Sequence, residues 1–452
     1  VQRINSTYHG RDLPERISKC INETSKKNSI DYVLIFGDNE MVPTRLVYIP
    51  YCNETTSEAL YVESDLYYAD MQMDWDDNDD GLWGDLNHDI VEGVPDLRLG
   101  RLPVSNPDEA EIVVNKIINY ENNVKSSSPW FNKILLLGED ISSCDERSEG
   151  EILSNYIQKE YVESDFTTEK LYESHSNLTV NDVKSQIDEG VGFVSYTGHG
   201  NIDNWDFGNG GSYNINDVSE QNNGYKLPII VTTACLSSSF YHTESIGKKF
   251  ITKPNGGAIA YLGPTSLSYI YPGESVKNGR SGEINWRFFK TYSDGRSIIG
   301  DIWAKTITDY ILNHGITTEL NWKTVAAYGT PFMDPTMAIG GELKKNTQMR
   351  IKGGEEVKIH DTFFVQTGDI IIEDNSTLII KDVTLSNDQL RDFQYSFVVK
   401  DNGKLVIDNM NILNSANHNF YTIILNSGSI VASDTDIPYL LSCGTTVISF
   451  TD

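Results

Sequence analysis

Two stretches of the sequence each carry an apolar run into a chemically reactive side chain. GVGFVSYTGHG, residues 190–200, contains His199, and LPIIVTTAC, residues 227–235, ends at Cys235. A thiol becomes a nucleophile as the thiolate, and a nearby imidazole promotes that ionisation and later protonates the leaving group. The two side chains are therefore predicted to form a catalytic dyad. Taken singly, a cysteine after an apolar strand is more often an inert buried residue, and GHG is a turn with a solvated imidazole.

The segments around these stretches alternate in a way that is typical of a parallel β-sheet with helices on both faces. Apolar runs of strand length, such as KILLLGED (133–140), are separated by amphipathic runs of about three helical turns. In such a sheet, reactive groups collect beyond the carboxyl ends of the strands, which is where His199 and Cys235 lie. Glycines beside the histidine permit close backbone approach, so the amides of Gly200 and Cys235 are predicted to stabilise an oxyanion.

Three regions of the chain differ in their patterns. Residues 1–127 alternate helical and strand patterns and include an amphipathic helix with Ser105 or Asn106 as its cap. Residues 128–341 hold the predicted catalytic sheet. Residues 342–452 contain short strand pairs joined by Asn, Asp, Gly and Ser turns at a period of about 25 residues, which predicts an all-β region. We expect either a β-solenoid or an Ig-like antiparallel sandwich there, because both show turn-separated alternating strands.

Longer segments in the same order make the pattern specific. SYTGHGNIDNW (195–205), LPIIVTTAC and GGAIAYLGPTS (256–266) resemble the catalytic core of the gingipain-type cysteine peptidases, a family related to caspases, legumain and clostripain. DYVLIFGDNEMVP before that core and YGTPFMDPTM after it also resemble segments of this family, so the similarity extends over about residues 30–340. The resemblance implies a caspase-like α/β catalytic domain that is preceded by a smaller α/β subdomain.

The resemblance also implies roles for individual residues. Cys235 would attack the scissile carbonyl, His199 would act as the general acid, and Glu139 would steer the imidazole. Water would then release the acyl-enzyme, so hydrolysis is the expected reaction. Apart from the resemblance, the alternative for Glu139 is a solvated acid at the end of a strand.

The substrate preference is implied by further positions. In the arginine-selective members of the family, an acid after the first catalytic strand lies at the base of the specificity pocket, and Asp145 or Glu146 falls nearest that place here. Such a carboxylate would select Arg or Lys through a charge-assisted contact. Tyr269 and Tyr271 match a region whose aromatic residues wall the pocket. An acidic first helical turn and aromatic core packing are the structural alternatives.

The acidic segment DMQMDWDDNDDGLWGDLNHD, residues 70–89, follows the start of a calcium loop, D-x-[DN]-x-[DN]-G. Alternating short carboxylates converge on one cation in such loops, and the glycine permits the sharp turn. A solvated acidic loop is the alternative, although its carboxylates would repel one another without a counter-ion. We expect a structural Ca²⁺ here rather than zinc, because no His or Cys ligands cluster there. The predicted ligands are Asp74, Asp76, Asn78, Asp80 and Asp85.

Composition excludes some classes of function. Acidic residues outnumber basic ones by 65 to 36, and the resulting formal charge of −29 repels nucleic acid and anionic membranes. No run approaches the roughly 18 apolar residues that a membrane span needs. The five cysteines are too widely spaced for a CxxC zinc site, and Cys235 is the predicted free thiol. We therefore expect no nucleic-acid partner, no membrane span and no organic cofactor.

These observations predict a secreted cysteine endopeptidase that cuts protein or peptide substrates after Arg or Lys. Sequons favour an extracellular or cell-surface location. A rival hypothesis is an adhesion or glycan-binding surface protein that contacts the cell surface through residues 342–452 and keeps a weak or inactive peptidase scaffold. An intracellular caspase-like signalling protease is a third, which the acidic loop and the sequons disfavour. The sequons lie at Asn5, Asn22, Asn53, Asn177 and Asn375.

Overall fold

A computed structural model of the chain provides its structure and divides it into two compact units, Val1–Glu342 and Leu343–Asp452. The subdomains predicted over residues 1–127 and 128–341 both lie in the first unit. One hydrophobic cluster takes buried side chains from each of them, and the boundary between them stays a prediction. The described residues are 1–28, 30–50, 61–124, 128–141, 148–163, 166–241, 244–294, 296–341, 349–366, 369–387, 396–413, 421–425, 427–433, 440–443 and 447–451.

Helices and short strands alternate along the first unit. Its helices are α1 (Gln2–Thr7), α2 (Leu13–Asn28), α3 (Pro107–Asn123), α4 (Glu149–Ile157), α5 (Val180–Glu189), α6 (Ile215–Ser219), α7 (Ile246–Thr252), α8 (Arg280–Ser293), α9 (Ile299–His314) and α10 (Glu319–Ala327). Its strands are β1 (Tyr32–Phe36), β2 (Arg45–Tyr48), β3 (Tyr61–Ser64), β4 (Arg98–Leu102), β5 (Lys133–Gly138), β6 (Thr167–Tyr172), β7 (Phe193–Thr197), β8 (Gly200–Asn201), β9 (Asn204–Asp206), β10 (Ser212–Asn214), β11 (Ile229–Thr232) and β12 (Ala260–Leu262).

A five-stranded parallel sheet with the order β12-β11-β7-β5-β6 forms the centre of this unit. Adjacent residues of its strands belong to two different hydrophobic clusters. Leu135 joins the cluster that includes side chains of α3, α5 and α7, and Leu136 joins the one that includes side chains of α4, α8 and α9. Strands buried on both faces read as continuous apolar runs. The predicted parallel sheet with helices on both faces is therefore confirmed.

Smaller sheets extend this centre. β1 pairs with β4 in parallel, β2 pairs with β3 in antiparallel fashion, and β8, β9 and β10 form an antiparallel meander. Phe332 makes isolated bridges to Arg101 on β4 and to Tyr261 on β12, so it connects the first of these pairs to the central sheet. The meander begins directly after His199, where two- and three-residue strands give the sequence no readable period.

Local sequence signals set the ends of several helices. The side chain of Asn106 accepts a hydrogen bond from the backbone N–H of Glu109 at 3.0 Å, which caps α3 and chooses Asn106 over Ser105. Pro107 takes the first helical position, where its missing N–H is not needed. Ser148 caps α4 in the same way as Asn106 caps α3.

The second unit consists of β-strands that alternate between two five-stranded parallel sheets. One sheet has the order β13-β15-β17-β19-β21 and the other β14-β16-β18-β20-β22. The strands are β13 (Met349–Ile351), β14 (Glu356–Gln366), β15 (Ile370–Ile372), β16 (Thr377–Asn387), β17 (Ser396–Val399), β18 (Lys404–Leu413), β19 (Tyr421–Leu425), β20 (Ser429–Ser433), β21 (Leu440–Cys443) and β22 (Val447–Thr451).

Parallel stacking of successive coils identifies this unit as a β-solenoid. Asp382 and Asn409 contact each other across 27 residues of sequence, and Asp408 and Ser433 do so across 25. The first two have φ angles of 52° and 57°, and the pairing of β16 with β18 skips them, so each long strand turns a corner there. The solenoid prediction is confirmed. The alternative of an antiparallel sandwich is wrong, because the strand pairs of this unit are parallel.

None of the helices in the described part of the chain combines the length and the apolar character that crossing a bilayer requires.

Candidate active site

The candidate site lies where two neighbouring strands of the central sheet end. β7 pairs with β11 in parallel, with Tyr196 opposite Thr232. His199 and Cys235 each follow these partners by three residues, so the register places them at one edge of the sheet. The chain continues this pairing past the strands, because the N–H of Thr233 donates to the carbonyl of Tyr196 at 3.0 Å.

Glycines allow the two loops to approach each other. The N–H of Gly198 donates to Thr233 Oγ1 at 3.3 Å, and a Cβ added to Gly200 would lie 2.8 Å from the Cβ of Ala234. A Cβ on Gly198 would lie 2.3 Å from the hydroxyl of Tyr196. Close approach, rather than an unusual φ angle, is therefore the reason for the glycines on either side of His199. The oxyanion role predicted for the Gly200 and Cys235 amides stays a prediction.

Cys235 is a half-buried free thiol. Its sulfur lies 3.3 Å from the backbone nitrogen of Ser268 and 3.5 Å from the carbonyl oxygen of the same residue. Burial raises the pKa of the Cys235 thiol above its ordinary value, while the amides of Ser268 and Cys235 and the ammonium of Lys323 act in the opposite direction. Lys323 is 1% exposed and lies on α10, and no motif in the sequence connects it with this site.

His199 is exposed at the mouth of the site, and its Nε2 lies 3.3 Å from the carbonyl oxygen of Ile141. Across the residues that the structure describes, its imidazole and the Cys235 sulfur are not hydrogen-bonded to each other. A substrate carbonyl has to enter between a nucleophile and its acid, and such contacts often form only in the complex with substrate. The arrangement therefore suits a dyad that acts on opposite sides of a bound peptide bond.

Glu139 follows β5 and is 3% exposed. Its carboxylate accepts hydrogen bonds from the backbone N–H of His199 and, at 3.2 Å, from the hydroxyl of Tyr196. That hydroxyl also lies 2.7 Å from the carbonyl oxygen of His199. The carboxylate thus holds the main chain of the histidine turn, whereas the imidazole itself contacts Ile141. Steering of the ring by Glu139, which the resemblance implied, stays a prediction.

The environment of Glu139 changes its acidity. Burial raises the pKa of Glu139 to about 8, with smaller contributions in the same direction from Asp206 and Glu173, while the hydrogen bonds from His199 and Tyr196 lower it. A carboxyl with this pKa exchanges its proton near neutral pH. Perturbed groups of this kind are frequent at functional sites, and this one contacts the residue predicted to be the general acid.

The residues predicted to form the specificity pocket lie partly beside the nucleophile. Tyr269 directly follows Ser268, and the ammonium of Lys323 lies 5.6 Å from the centre of its ring. Tyr271 is 36% exposed and lies under the guanidinium of Arg280 at 4.3 Å. The other predicted pocket residues, Asp145 and Glu146, lie outside the described residues.

A buried acid that the sequence did not single out lies at the start of α4. Glu149 has no solvent exposure, and its Oε1 accepts the backbone N–H of Gly273 at 2.8 Å. The next residue, Gly150, packs against Glu139 and Thr197 so closely that an added Cβ would lie 2.4 and 2.6 Å from their backbone atoms. The carboxylate therefore connects the first turn of α4, beneath the histidine strand, to the loop that carries the two tyrosines.

A model described as Peptidase family C25 matches residues 1–338. The chain belongs to this peptidase family. Lys-gingipain HG66 of Porphyromonas gingivalis is 25% identical over 188 residues, which are 41% of this chain and 11% of that relative. Gingipain R2 of the same organism is 21% identical over 218 residues, 47% of this chain and 25% of the relative. The chain therefore spans only between 11% and 25% of the length of these two curated relatives.

Two solved structures share the fold of this chain. The crystal structure of the Arg specific cysteine proteinase gingipain R has a TM-score of 0.54 at 17% identity, covering 72% of this chain and 68% of that one. The complex of Porphyromonas gingivalis RgpB pro- and mature domains has a TM-score of 0.55 at 16% identity, covering 72% of this chain and 70% of that one. At such identities the likeness establishes the architecture alone.

The acidic loop of this C25 chain surrounds a guanidinium. Arg11 donates to Asp74 Oδ1 at 2.5 Å and to Asp79 Oδ1 at 2.8 Å, and it lies 3.3 Å from Asp76 Oδ2. The same guanidinium lies 4.3 Å from the centre of the Trp83 ring. A residue before α2 therefore supplies the counter-ion that the run of carboxylates requires.

The other predicted calcium ligands contact neighbouring groups. Asn78 donates from Nδ2 to Asp80 Oδ2 at 2.7 Å, and Asp85 Oδ2 lies 2.9 Å from Nδ1 of His88. Across the described ranges, no group of three or more His, Cys, Asp or Glu side chains is arranged to hold a metal ion. In this arrangement the carboxylates of Asp74, Asp76 and Asp79 contact the guanidinium of Arg11. Calcium binding at the loop stays a prediction.

Cys20 and Cys235 are both free thiols. The side chains of the remaining cysteines, Cys52, Cys144 and Cys443, lie outside the described part of the chain.

Proposed function

We propose that this C25 chain is a cysteine endopeptidase in which Cys235 is the nucleophile and His199 the general acid and base. The observation that carries this proposal is the register of β7 and β11, in which His199 and Cys235 each follow one member of the pair Tyr196 and Thr232 by three positions. The carboxylate of Glu139 supports the turn at His199 by accepting a hydrogen bond from the backbone N–H of that residue.

The reaction follows from these groups. The imidazole of His199 takes the thiol proton, and the Cys235 sulfur forms a bond to the scissile carbonyl carbon. The imidazolium returns this proton to the leaving nitrogen as the C–N bond breaks, which leaves an acyl-enzyme. Water then attacks the thioester carbonyl while the imidazole accepts a proton, and the acid product and the free thiol are released.

A basic residue before the scissile bond is the proposed preference. Glu149 places a buried carboxyl group against the loop that carries Tyr269 and Tyr271. The names of two similar proteins, Lys-gingipain and the Arg specific cysteine proteinase gingipain R, agree with such a preference. We expect Glu149→Gln to lower kcat/KM for cleavage after Arg or Lys by at least about tenfold, or roughly 1.4 kcal/mol.

A positional peptide library tests the reaction and the preference together. The native protein, Cys235→Ala and the matched control Cys20→Ala, which removes the other described free thiol, would each be incubated with the library and the products sequenced by mass spectrometry. We expect cleavage after Arg or Lys by the native protein and the Cys20 variant, with no cleavage by Cys235→Ala. Equal turnover by Cys235→Ala would refute the nucleophile, and an intact library with folded native protein would favour the adhesion alternative.

An extracellular or cell-surface location is proposed as well, on the acidic charge of −29 and on the sequons. Two of these sequons are engaged in the fold, because Asn22 donates to the carbonyl of Met71 and Asn177 to that of Lys170. Asn5 and Asn375 are exposed. Fractionation of producing cells, with the protein recovered from the medium or the surface, is the expected result, and recovery from the cytosol alone would contradict it.

A further inference from the structure

A buried acid from the N-terminal part of the chain binds the loop that follows the nucleophile. Glu63 lies on β3 and is 8% exposed. Its Oε1 accepts the hydroxyl of Ser239 at 2.6 Å, and its Oε2 accepts the backbone N–H of Phe240 at 2.8 Å. These partners follow Cys235 by four and five residues, and 176 residues or more separate them from Glu63 in sequence.

The loop that Glu63 binds has an unfavourable backbone conformation. Leu236, next to the nucleophile, has a φ angle of 59°, which is in the left-handed region where the Cβ of a leucine lies too close to the following carbonyl oxygen. The N–H of Ser239 donates to the carbonyl of Leu236 at 2.9 Å and closes the turn. Such a conformation persists only when surrounding contacts hold it. The two hydrogen bonds to the carboxylate are contacts of this kind.

The main chain of Glu63 also binds a second loop, residues 265–268, which contacts the sulfur of Cys235. Its carbonyl accepts the hydroxyl of Thr265 at 2.7 Å. The following residue, Ser266, accepts the N–H of Leu236 at 3.0 Å, and Ser268 contacts the sulfur of Cys235. One residue of β3 therefore connects both loops that position the thiol.

The Glu63 carboxylate accepts hydrogen bonds from a hydroxyl and from a backbone N–H group, and it forms no ion pair within the described residues. The guanidinium of Arg101, which lies 4.7 Å from the ring of Phe240, pairs with Asp65 at 2.7 Å. Burial raises the pKa of Glu63 to about 7, the charge of Asp65 adds to this effect, and the hydrogen bonds from Ser239 and from the amides after it lower the pKa. The ionised carboxylate accepts all of these donors, whereas a proton on either oxygen removes an acceptor.

We propose that Glu63 is a positioning residue whose carboxylate holds the turn after Cys235 in the geometry that the attack requires. The inference rests on the proposed peptidase function. It gives the N-terminal strand pair β2–β3 a part in the reaction, although it supplies no group that touches the substrate. Ionised Glu63 supports the active geometry, and its protonation as the pH falls through about 7 weakens that support.

Glu63→Gln tests this role, with Glu15→Gln as the matched control because Glu15 is a similarly buried acid remote from the sulfur. We expect Glu63→Gln to lower kcat by about 10- to 100-fold, as misplacement by a fraction of an ångström does, while KM changes by less than about threefold. The ratio of native to variant kcat should rise as the pH increases from about 5 to about 8, because only the native carboxyl ionises. Glu15→Gln should leave kcat unchanged.

Alkylation of Cys235 by iodoacetamide, followed on the peptide that contains Cys235 by mass spectrometry, provides a readout that does not depend on peptidase activity. Glu63→Gln should change this rate and its pH dependence even if no peptide substrate is cleaved, so failure of the peptidase proposal remains distinguishable. Ser239→Ala removes the loop side of one hydrogen bond and should move kcat in the same direction if Glu63→Gln does not fold. Unchanged kcat and alkylation in the folded variants, or a kcat ratio that is constant with pH, would overturn the inference.

Discussion

Two groups of acidic side chains in the first unit are stabilised in different ways, one by an ion pair and the other by hydrogen bonds. In the loop of residues 74–89, the carboxylates of Asp74 and Asp76 surround the guanidinium of Arg11. Beside the candidate dyad, Glu139 and Glu63 are more buried than Asp74 and accept hydrogen bonds from backbone N–H and hydroxyl groups. Within the described part of the chain, neither of these two acids forms an ion pair.

The guanidinium of Arg11 keeps its charge at all relevant pH values, whereas the charges of Glu139 and Glu63 depend on pH. A guanidinium stays protonated at any pH that a folded protein meets, so the counter-ion of the loop is permanent. The acids at the sheet edge lack such a partner, and burial therefore raises the pKa of Glu139 to about 8 and that of Glu63 to about 7. The candidate site thus contains two carboxyls whose charge changes around neutral pH.

The largest expected effect comes from replacing the carboxyl group of Glu139. Glu139→Gln should lower kcat/KM for the preferred peptide by about 10- to 100-fold, because the His199 turn loses its best acceptor and the imidazole is misplaced. Steady-state kinetics on a fluorogenic peptide would measure this. Glu373→Gln, which removes a buried acid from the solenoid, is the control and should have native kinetics. A Glu139→Gln enzyme with native kcat/KM would show that the sheet-edge acid has no functional part.

The second largest expected effect is on the pH dependence of the free energy of unfolding. The pKa of Glu139 is raised in the folded state, so between about pH 4.5 and 8 the folded protein binds more protons than the unfolded chain, and the free energy of unfolding falls as the pH rises. Glu139→Gln should remove on the order of 2–3 kcal/mol of this decrease. All 7 tryptophans lie in the first unit, so their fluorescence during denaturation in urea reports on it. Identical slopes for both proteins would contradict the prediction.

Arg11→Gln should have a smaller effect, and on stability rather than activity. Loss of the guanidinium leaves Asp74, Asp76 and Asp79 without their shared counter-ion and should reduce the free energy of unfolding by about 1–3 kcal/mol. Arg16→Gln removes a nearby arginine that contacts Asn5 and the carbonyl of Gly10 instead, which makes it a suitable control. A fall in kcat/KM without a loss of stability would mean that the loop takes part in the reaction.

Chelation should produce the smallest effect. If Arg11 serves as the counter-ion of the loop, EDTA will shift the Tm of the native protein by less than Arg11→Gln does, and added Ca²⁺ will stabilise that variant more than the native protein. Differential scanning calorimetry of both proteins with and without Ca²⁺ would measure this. A larger shift with EDTA than with the substitution would support the structural calcium predicted from the sequence.

Local patterns were sufficient for the elements that carry the candidate dyad. The apolar runs before His199 and Cys235 predicted β7 and β11, and the Asn106–Pro107 signal predicted the start of α3. Helix α8 was not predicted, since it buries polar residues such as Asn285 and Arg287 together with Phe288, which hides its amphipathic period. Glu63 was not identified as part of the site for a different reason: its partners lie 176 residues or more away in sequence.

In the C-terminal region, too, the local sequence pattern was not sufficient to choose the fold. Alternating apolar residues and Asn, Asp and Gly turns are compatible with a solenoid and with a sandwich, because both bury one face of each strand. Parallel pairing between coils, as in Leu378 with Leu405, distinguishes them, and pairing partners are not written in the alternation itself.

By itself, the sequence determined which side chains end the strands, where the helices begin and how often the C-terminal turns recur, because these depend on neighbours a few residues apart. The tertiary structure decided that β7 lies beside β11, that Glu63 and Arg11 serve as partners for distant groups, and which acids remain without a cation. Strand order, burial and charge pairing arise from contacts between distant segments, and these form only when the whole core is packed.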